Sequence, residues 1–443
     1  MNEQQDVQKI DTLEPYAAIV LWQAGKGEWN KWVSENPIYN ISFGSVDFSK
    51  LRTKDNPDIS FKGFTFPNGN VSFSEAIFGE GDVDFSSATF GEGDVHFSNA
   101  TFGKGSVSFN KTIFGNGNVY FYTASFGAGS VSFNKSAFGD GDVHFSRAKF
   151  GEGSVRFNNT SFGKGNVYFS YATFGEGNVD FYEASFGEGN VYFYLTSFGE
   201  GSTSFHGAKF TGKFYLDNCN DTGKIKSFTF QNCTFIDAVV IKNITLNCVL
   251  DMLNTSFANH ISLYGIICHL RRKKNKWGVK IVENKDDIEK LIRLKELTEN
   301  SKNHEQALLF HAEEQRAKRW VKTDNIVSLI DMVFSGICDY GQSFLRPMFL
   351  WLLSIFIFAV PYAYLSEKPI QSLKSVWELF VFSAFNSVPF LTMARDVRTD
   401  GVGAFFHDDT MLTIVYPIMG LQGITSIILI FIVGLGLRNR FRI

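Results

Sequence analysis

The chain has 443 residues, 44% of them apolar, which is material for two or three domains with sizeable cores. Its formal charge of -3 excludes a uniformly basic nucleic-acid binder and leaves room only for a local basic patch. The unusual counts are 48 Phe and 40 Gly, a pairing that points to a repeat rather than to ordinary globular usage.

The first residues, MNEQQDVQKIDTLEPY, show no basic start followed by an apolar run, so no secretory signal is read and the N-terminal part is expected in the cytosol. Residues 1–53 read as a helical cap with first strands. Trp22, Trp29 and Trp32 fall near one helical face and are placed to cover an open first coil.

From Phe66 to Lys209 run twelve copies of the twelve-residue unit F-G-x-G-[DSN]-V-x-F-x-x-[AST]-x. The pairs V-x-F and A-x-F put both members on one side of an extended strand, so each unit supplies two short strands. The two glycines fit a corner, where positive φ or close backbone approach excludes a Cβ. Alternate units resemble each other more than neighbours do. The residue between Val and Phe reads His96, Tyr120, His144, Tyr168, Tyr192 in one set and Asp84, Ser108, Ser132, Arg156, Asp180 in the other. A closed coil of 24 residues with four sides satisfies both sets, and stacking at the ~4.8 Å strand spacing makes this region roughly 29 Å long. Cys219, Cys233, Cys248, Cys268 and Cys338 are spaced for neither a disulfide framework nor a zinc site, and read as buried structural thiols.

The V-x-F and A-x-F pairs, with Trp29-Asn-Lys-Trp32 and Asn36-Pro37 before them, resemble pentapeptide-repeat proteins. That resemblance implies a four-sided β-solenoid, here over residues 54–270, with two sides lengthened by two residues. Other solenoids fit less well. Calcium-binding nonapeptide repeats need period nine and an Asp in nearly every copy. A carbohydrate-cleaving β-helix needs clustered carboxylates, whereas Asp82, Asp84, Asp140, Asp142 and Asp180 are scattered. DNA mimicry, which the resemblance also brings, needs an acidic surface, yet Lys104, Lys111, Lys135, Arg156 and Lys164 interrupt the acids. No catalytic or metal-ligating constellation is visible, so neither an enzyme nor a cofactor is expected.

Residues 271–344 read as a basic, amphipathic helical linker. It starts with Arg271, Arg272, Lys273, Lys274 and Lys276 and continues with Ile288, Leu291, Leu294 and Leu297 at helical spacing. The basic cluster suits anionic lipid, or together with the His/Tyr column a nucleotide or single-stranded oligonucleotide; ordinary strand decoration is the plainer account of that column. Residues 345–443 read as a membrane module. Spans are expected at about 347–365 and 411–437, with a re-entrant segment at about 372–393 interrupted by Glu378, Asn386 and Pro389. Arg438, Arg440 and Arg442 put the C-terminus on the cytosolic side.

The motifs Glu314-x-Arg316-Ala-Lys-Arg319 (with His304 and Phe310 before it), Tyr340-Gly-x-Ser343-x-x-Arg346-Pro347, Asn386-x-x-Pro389-Phe390 and Gly434-Leu-Gly-Leu-Arg438-Asn-Arg-Phe441 resemble the ion-channel-like module attached to many pentapeptide-repeat proteins. The resemblance implies a homo-oligomeric, tetrameric two-span channel of the bacterial inner membrane, conducting ions and related to membrane effectors of anti-phage defence. Residues FLTMARDVRTDG stand where a potassium filter would follow, so potassium selectivity is not expected. The expected pore lining is Asn386, Pro389 and Phe390 with Gln422, Ser426, Ile430 and Val433. Hydrogen bonding between helices is the other account of Gln422 and Ser426. Tyr340, Arg346, Pro347, Arg438 and Arg440 are assigned to coupling. The rival function is a membrane-anchored interaction scaffold that conducts nothing.

Overall fold

A computed structural model describes residues 10–54, 57–219, 224–276, 278–370 and 372–441. The chain divides into two compact units, residues 1–317 and 318–443.

The first unit is a four-sided stack of roughly ten coils, residues 12–268. Its repeating sides are parallel ladders in register at 24 residues: Val95 pairs with Val119, Val143 with Val167, and Val83 with Val107. Single bridges such as Thr89 to Ile113 and Thr101 to Ser125 join the two shorter sides. Inward Val and Phe of every V-x-F pair are buried, as the period-two alternation requires. The phenylalanines form columns. Phe97 to Phe121 to Phe145 stack at 4.9 Å and 3°, and neighbouring columns meet edge to face, as in Phe85 and Phe97 at 5.3 Å and 87°.

Each remaining letter of the unit has a mechanical reason. Where the small inward residue carries a hydroxyl, it donates to a Phe carbonyl of the previous coil: Thr112 Oγ1 to Phe85 O at 2.8 Å, Ser136 Oγ to Phe109 O at 2.6 Å. Cys233 does the same to Phe205 O at 2.8 Å, and burial pushes its thiol, like those of Cys219 and Cys268, up to about 12. The Asp/Ser/Asn position accepts from the backbone N–H one coil later, as Asp94 does from Asn118 at 2.7 Å and Asp142 from Asn166 at 2.6 Å. A short oxygen-bearing side chain reaches that N–H; a longer or apolar one does not satisfy it.

From Gly91 to Gly201 the glycines of the unit serve close approach, while Gly79 also adopts a positive φ of 74°. A Cβ on Gly165 would lie 2.0 Å from the carbonyl oxygen of Gly141, the equivalent residue one coil earlier. Of the two reasons expected for the glycines, close approach holds through most of the stack, and positive φ recurs instead one residue before the small inward position, at Asn99, Lys111, Thr123, Lys135, Arg147, Asn159 and Tyr171. Residue type there is free because the ladders on both sides over-determine the conformation.

Both ends of the stack are covered. At the start, α1 (Pro15–Gln23) and α2 (Lys26–Glu35) lay Trp29, fully buried, on Phe43 and Phe66, its Nε1 donating to Thr65 O at 2.8 Å. Trp22 stacks on Phe61 at 5.5 Å, whereas Trp32 leaves the coil and meets Tyr39. At the other end residues 271–317 of the expected 271–344 linker belong to the solenoid's own unit, and the remainder to the second. Helices α3 (Asp287–Asn300) and α4 (His304–Lys318) bury Ile288, Leu291, Leu294 and Phe310. Gln306 closes the last long strand, Ile261–Cys268, by exchanging hydrogen bonds with both the N–H and the carbonyl of Ile266, at 3.2 and 2.7 Å. The exposed strand edge, a liability in any open stack, is thereby capped.

The second unit is helical: α5 (Asn325–Cys338), α6 (Leu345–Leu365), α7 (Leu373–Asn386), α8 (Thr392–Phe405) and α9 (Asp409–Arg440). Helices α6 and α9 are long and apolar enough to cross a membrane, and only 17% and 28% of their most apolar windows are buried by the rest of the chain. The expected re-entrant segment is a capped helix, α7, opened by a Ser372/Ser375 capping box and broken after Asn386. The chain then continues as a second helix, α8, which the sequence reading did not anticipate.

Candidate membrane conduit and its polar junction

Along α6, α7 and α9 one face of each helix meets at a buried polar junction. Tyr362 Oη donates to Gln422 Oε1 at 2.8 Å, and Asn386 Nδ2 lies 2.8 Å from the same oxygen and 3.0 Å from Tyr362 Oη. Gln422 Nε2 donates to Ser383 O and Oγ at 2.9 and 3.0 Å, and Ser383 Oγ donates to Ile355 O at 2.7 Å. Tyr362, Ser383 and Gln422 are fully buried and Asn386 nearly so. Below the junction Tyr362, Leu379, Phe382, Phe405, Phe406 and Val415 form one apolar cluster.

Gln422 and Ser426 are therefore corrected. Both are completely buried by the chain's own helices, and Gln422 fulfils the helix-to-helix hydrogen-bonding account instead of facing an open surface. Ser426 Oγ is buried without a hydrogen-bond partner. Ile430 and Val433 lie half-buried at the edge of the same stripe. On the dipping segment Asn386 belongs to the junction, Pro389 stands across from Gly423, and Phe390 is exposed.

Each hydrogen bond between membrane helices contributes about 0.6 to 2 kcal/mol, so a group holding four is worth testing. We expect Gln422→Leu, which leaves Asn386, Tyr362 and Ser383 facing a hydrocarbon side chain, to destabilise the helical unit by about 2 kcal/mol. Unfolding of the full chain by SDS titration in bicelles measures it. Wild-type stability in Gln422→Leu would show that the junction holds nothing together.

Helix α8 differs from everything around it. Arg395, Asp396, Thr399 and Asp400 are exposed, while Ala394 and Phe405 face inward and Gly401 packs on the Phe382 ring, closely enough that an added Cβ would collide with it. A charged face thus stands between two membrane-length helices, on a hairpin bonded to both.

Most of the residues expected to couple lie near the start of α6. Tyr340 Oη and Arg319 Nε both donate to Asp331 Oδ2 at 2.8 Å, and Arg319 Nη2 also reaches Tyr340 Oη at 2.8 Å. Burial and the facing Asp331 carboxylate raise the Tyr340 phenol above its ordinary value. Arg346 pairs with Asp339 at 3.7 Å, Pro347 is buried, and Arg440 lies over the Phe344 ring at 5.7 Å. Arg438 is exposed, and Arg442 lies outside the described residues.

On the solenoid, the His96, Tyr120, His144, Tyr168 and Tyr192 column exists, but its rings stack on one another at 4.6–5.2 Å and 6–9°. Their faces are occupied by their neighbours and only their edges reach solvent. Within the column the rings cover one another's faces, and the far face of His96 lies beside Ser72 instead of a ring. Partial burial keeps His96 and His144 below the ordinary histidine value, against the pull of Asp94 and Asp142. In the basic cluster, Arg271 is used structurally: its guanidinium donates to Asn247 O and Ile225 O at 2.9 and 2.8 Å. Arg272, Lys273 and Lys274 stand exposed on a hairpin strand and Lys276 in its turn. Among the described residues no cluster of His, Cys, Asp and Glu could hold a metal ion. No protein-family model, curated protein or solved structure matches the chain.

Proposed function

We propose that the chain is a membrane conduit for ions, built as a homo-oligomer, tetrameric by analogy, with the β-solenoid as its cytosolic sensing part in a bacterial inner membrane. The observation that carries this reading is α8. Arginine and aspartate side chains exposed on a helix that joins two apolar spans need water around them, because lipid exposure of such groups is expensive. A plain anchor needs neither α7, nor the junction that fixes it, nor a charged helix hung from it. In this arrangement the Gln422 junction holds the hairpin in place, and α8, not the buried stripe of α9, borders the aqueous path. The role in anti-phage defence and a nucleotide-type trigger belong to the same proposal and rest on resemblance alone.

The test is purified full-length protein in planar bilayers. Cysteines placed singly at 396 and 400, in a background whose five native cysteines are replaced, should give currents altered by a membrane-impermeant thiol reagent. Cysteines at 422 and 426 should be unaffected. Absence of current from folded, reconstituted protein under every condition tried would leave the membrane-anchored scaffold as the better account, whereas currents indifferent to modification at 396 and 400 would overturn the placement of the path along α8.

A further inference from the structure

Helix α5 is amphipathic the wrong way round for a water-exposed helix. Its polar side chains turn inward: Ser328, fully buried, accepts from the N–H of Trp320 at 3.1 Å and bonds Thr323 Oγ1 at 2.8 Å, and Asp331 holds Arg319 and Tyr340. Its apolar side chains turn outward: Ile326 is 74% exposed, Ile330 63% and Val333 52%, with Val327, Leu329 and Met332 beside them. Fourteen residues at 1.5 Å per residue give about 21 Å, too short to cross a bilayer.

Three further observations say what covers this face. Exposed apolar side chains resume past the elbow at Leu345, Met348 and Phe349, on the first turns of the membrane-length α6. Between α5 and α6 the backbone turns through three successive positive-φ residues, Asp339, Tyr340 and Gly341, a sharp elbow fixed by the Arg346 to Asp339 pair. Cations flank the two elements, with Lys318 and Lys322 preceding α5 in sequence and Arg438 and Arg440, both exposed, ending α9.

We infer that α5 lies in the plane of the bilayer, its Ile326, Ile330 and Val333 face sunk at the boundary between acyl chains and anionic headgroups, and that the elbow sets it against the span. Buried apolar area supplies the attachment and the flanking cations select an anionic leaflet. The inference rests on α6 and α9 crossing a membrane and not on the conduit passing ions, so it stands or falls separately from that reading.

Nitroxide labels read it directly. The full chain, with its native cysteines replaced, is reconstituted in nanodiscs of phosphatidylcholine and phosphatidylglycerol and labelled singly at 326, 330, 333, 328 and 331. Position 104 on the solenoid serves as a water reference and 356 on α6 as a lipid reference. Oxygen accessibility relative to a water-soluble nickel chelate should rise several-fold over position 104 at 326, 330 and 333, stay below position 356, and fall again at 328 and 331. Water-like values at 326, 330 and 333 with lipid-like values at 356 overturn the inference. So does spin–spin broadening at 330, which would show a second copy of α5 on this face.

Discussion

Gly165→Ala should collapse the middle of the solenoid, lowering stability by more than about 4 kcal/mol although it adds a single methyl group. The new Cβ would stand 2.0 Å from Gly141 O and 2.3 Å from its carbonyl carbon. Both are backbone atoms clamped by the ladders on either side, so no rotamer relieves the clash. Relief requires the coils to part, and that breaks the Val143 to Val167 register and the Asp142 to Asn166 hydrogen bond together. Gly27→Ala is the internal control. Gly27 sits in α2 with nothing within 4 Å of an added Cβ, so the same change there should raise stability by about 0.5 to 1 kcal/mol. Far-UV circular dichroism melts of the two variants, moving in opposite directions from wild type, check the claim. Equal shifts would mean that close approach of coils does not explain the glycines.

Phe138→Ala should cost about 4 kcal/mol, while Tyr168→Ala, also a ring in a stacked column, should cost under about 1 kcal/mol. Phe138 is 3% exposed and sandwiched between Phe114 and Phe162 at 4.6 and 4.9 Å. Its removal leaves a cavity that rigid ladders cannot close. Tyr168 stacks on His144 and Tyr192 at 4.6 and 5.2 Å, but outside the coil, where water replaces the lost ring. Chemical denaturation of the full chain measures the difference. Comparable losses would contradict the assignment of inside and outside.

The four-sided coil, its 24-residue period and the two apolar helices were legible because each is written as a periodicity, and periodicities survive translation from sequence to space. What escaped was contact between residues whose spacing carries no period. The positive φ at Thr123 or Tyr171 hides behind ordinary residue types, so the glycines drew the expectation instead. The linker helices read as amphipathic, but nothing in Leu291 or Gln306 announces that the last coil is their partner. Gln422 shares a helical face with Ser426 whether that face meets water or Asn386, and only the packing of α7 decides between them. The aromatic column was found correctly at its spacing, yet spacing says nothing of ring orientation, and orientation sets the rings' faces against one another. Helix α8 carries one readable signal, Arg395, Asp396, Arg398 and Asp400 at one-to-two-residue intervals, which marks a polar segment without specifying a helix.

From Gly91 to Gly201 the Asx and glycine contacts run from one coil to the coil 24 residues on, which fixes how such a stack can change in length during evolution. Excising or duplicating 24 residues rejoins every column to a matching column and changes the length by one step of about 4.8 Å. Excising 12 would set the aspartate and serine column beneath the histidine and tyrosine column and offer the hydroxyl shelf of Thr112, Ser136 and Thr160 to the alanine side. The solenoid is thus a ruler graduated in whole turns, able to drift in length while its faces stay the same.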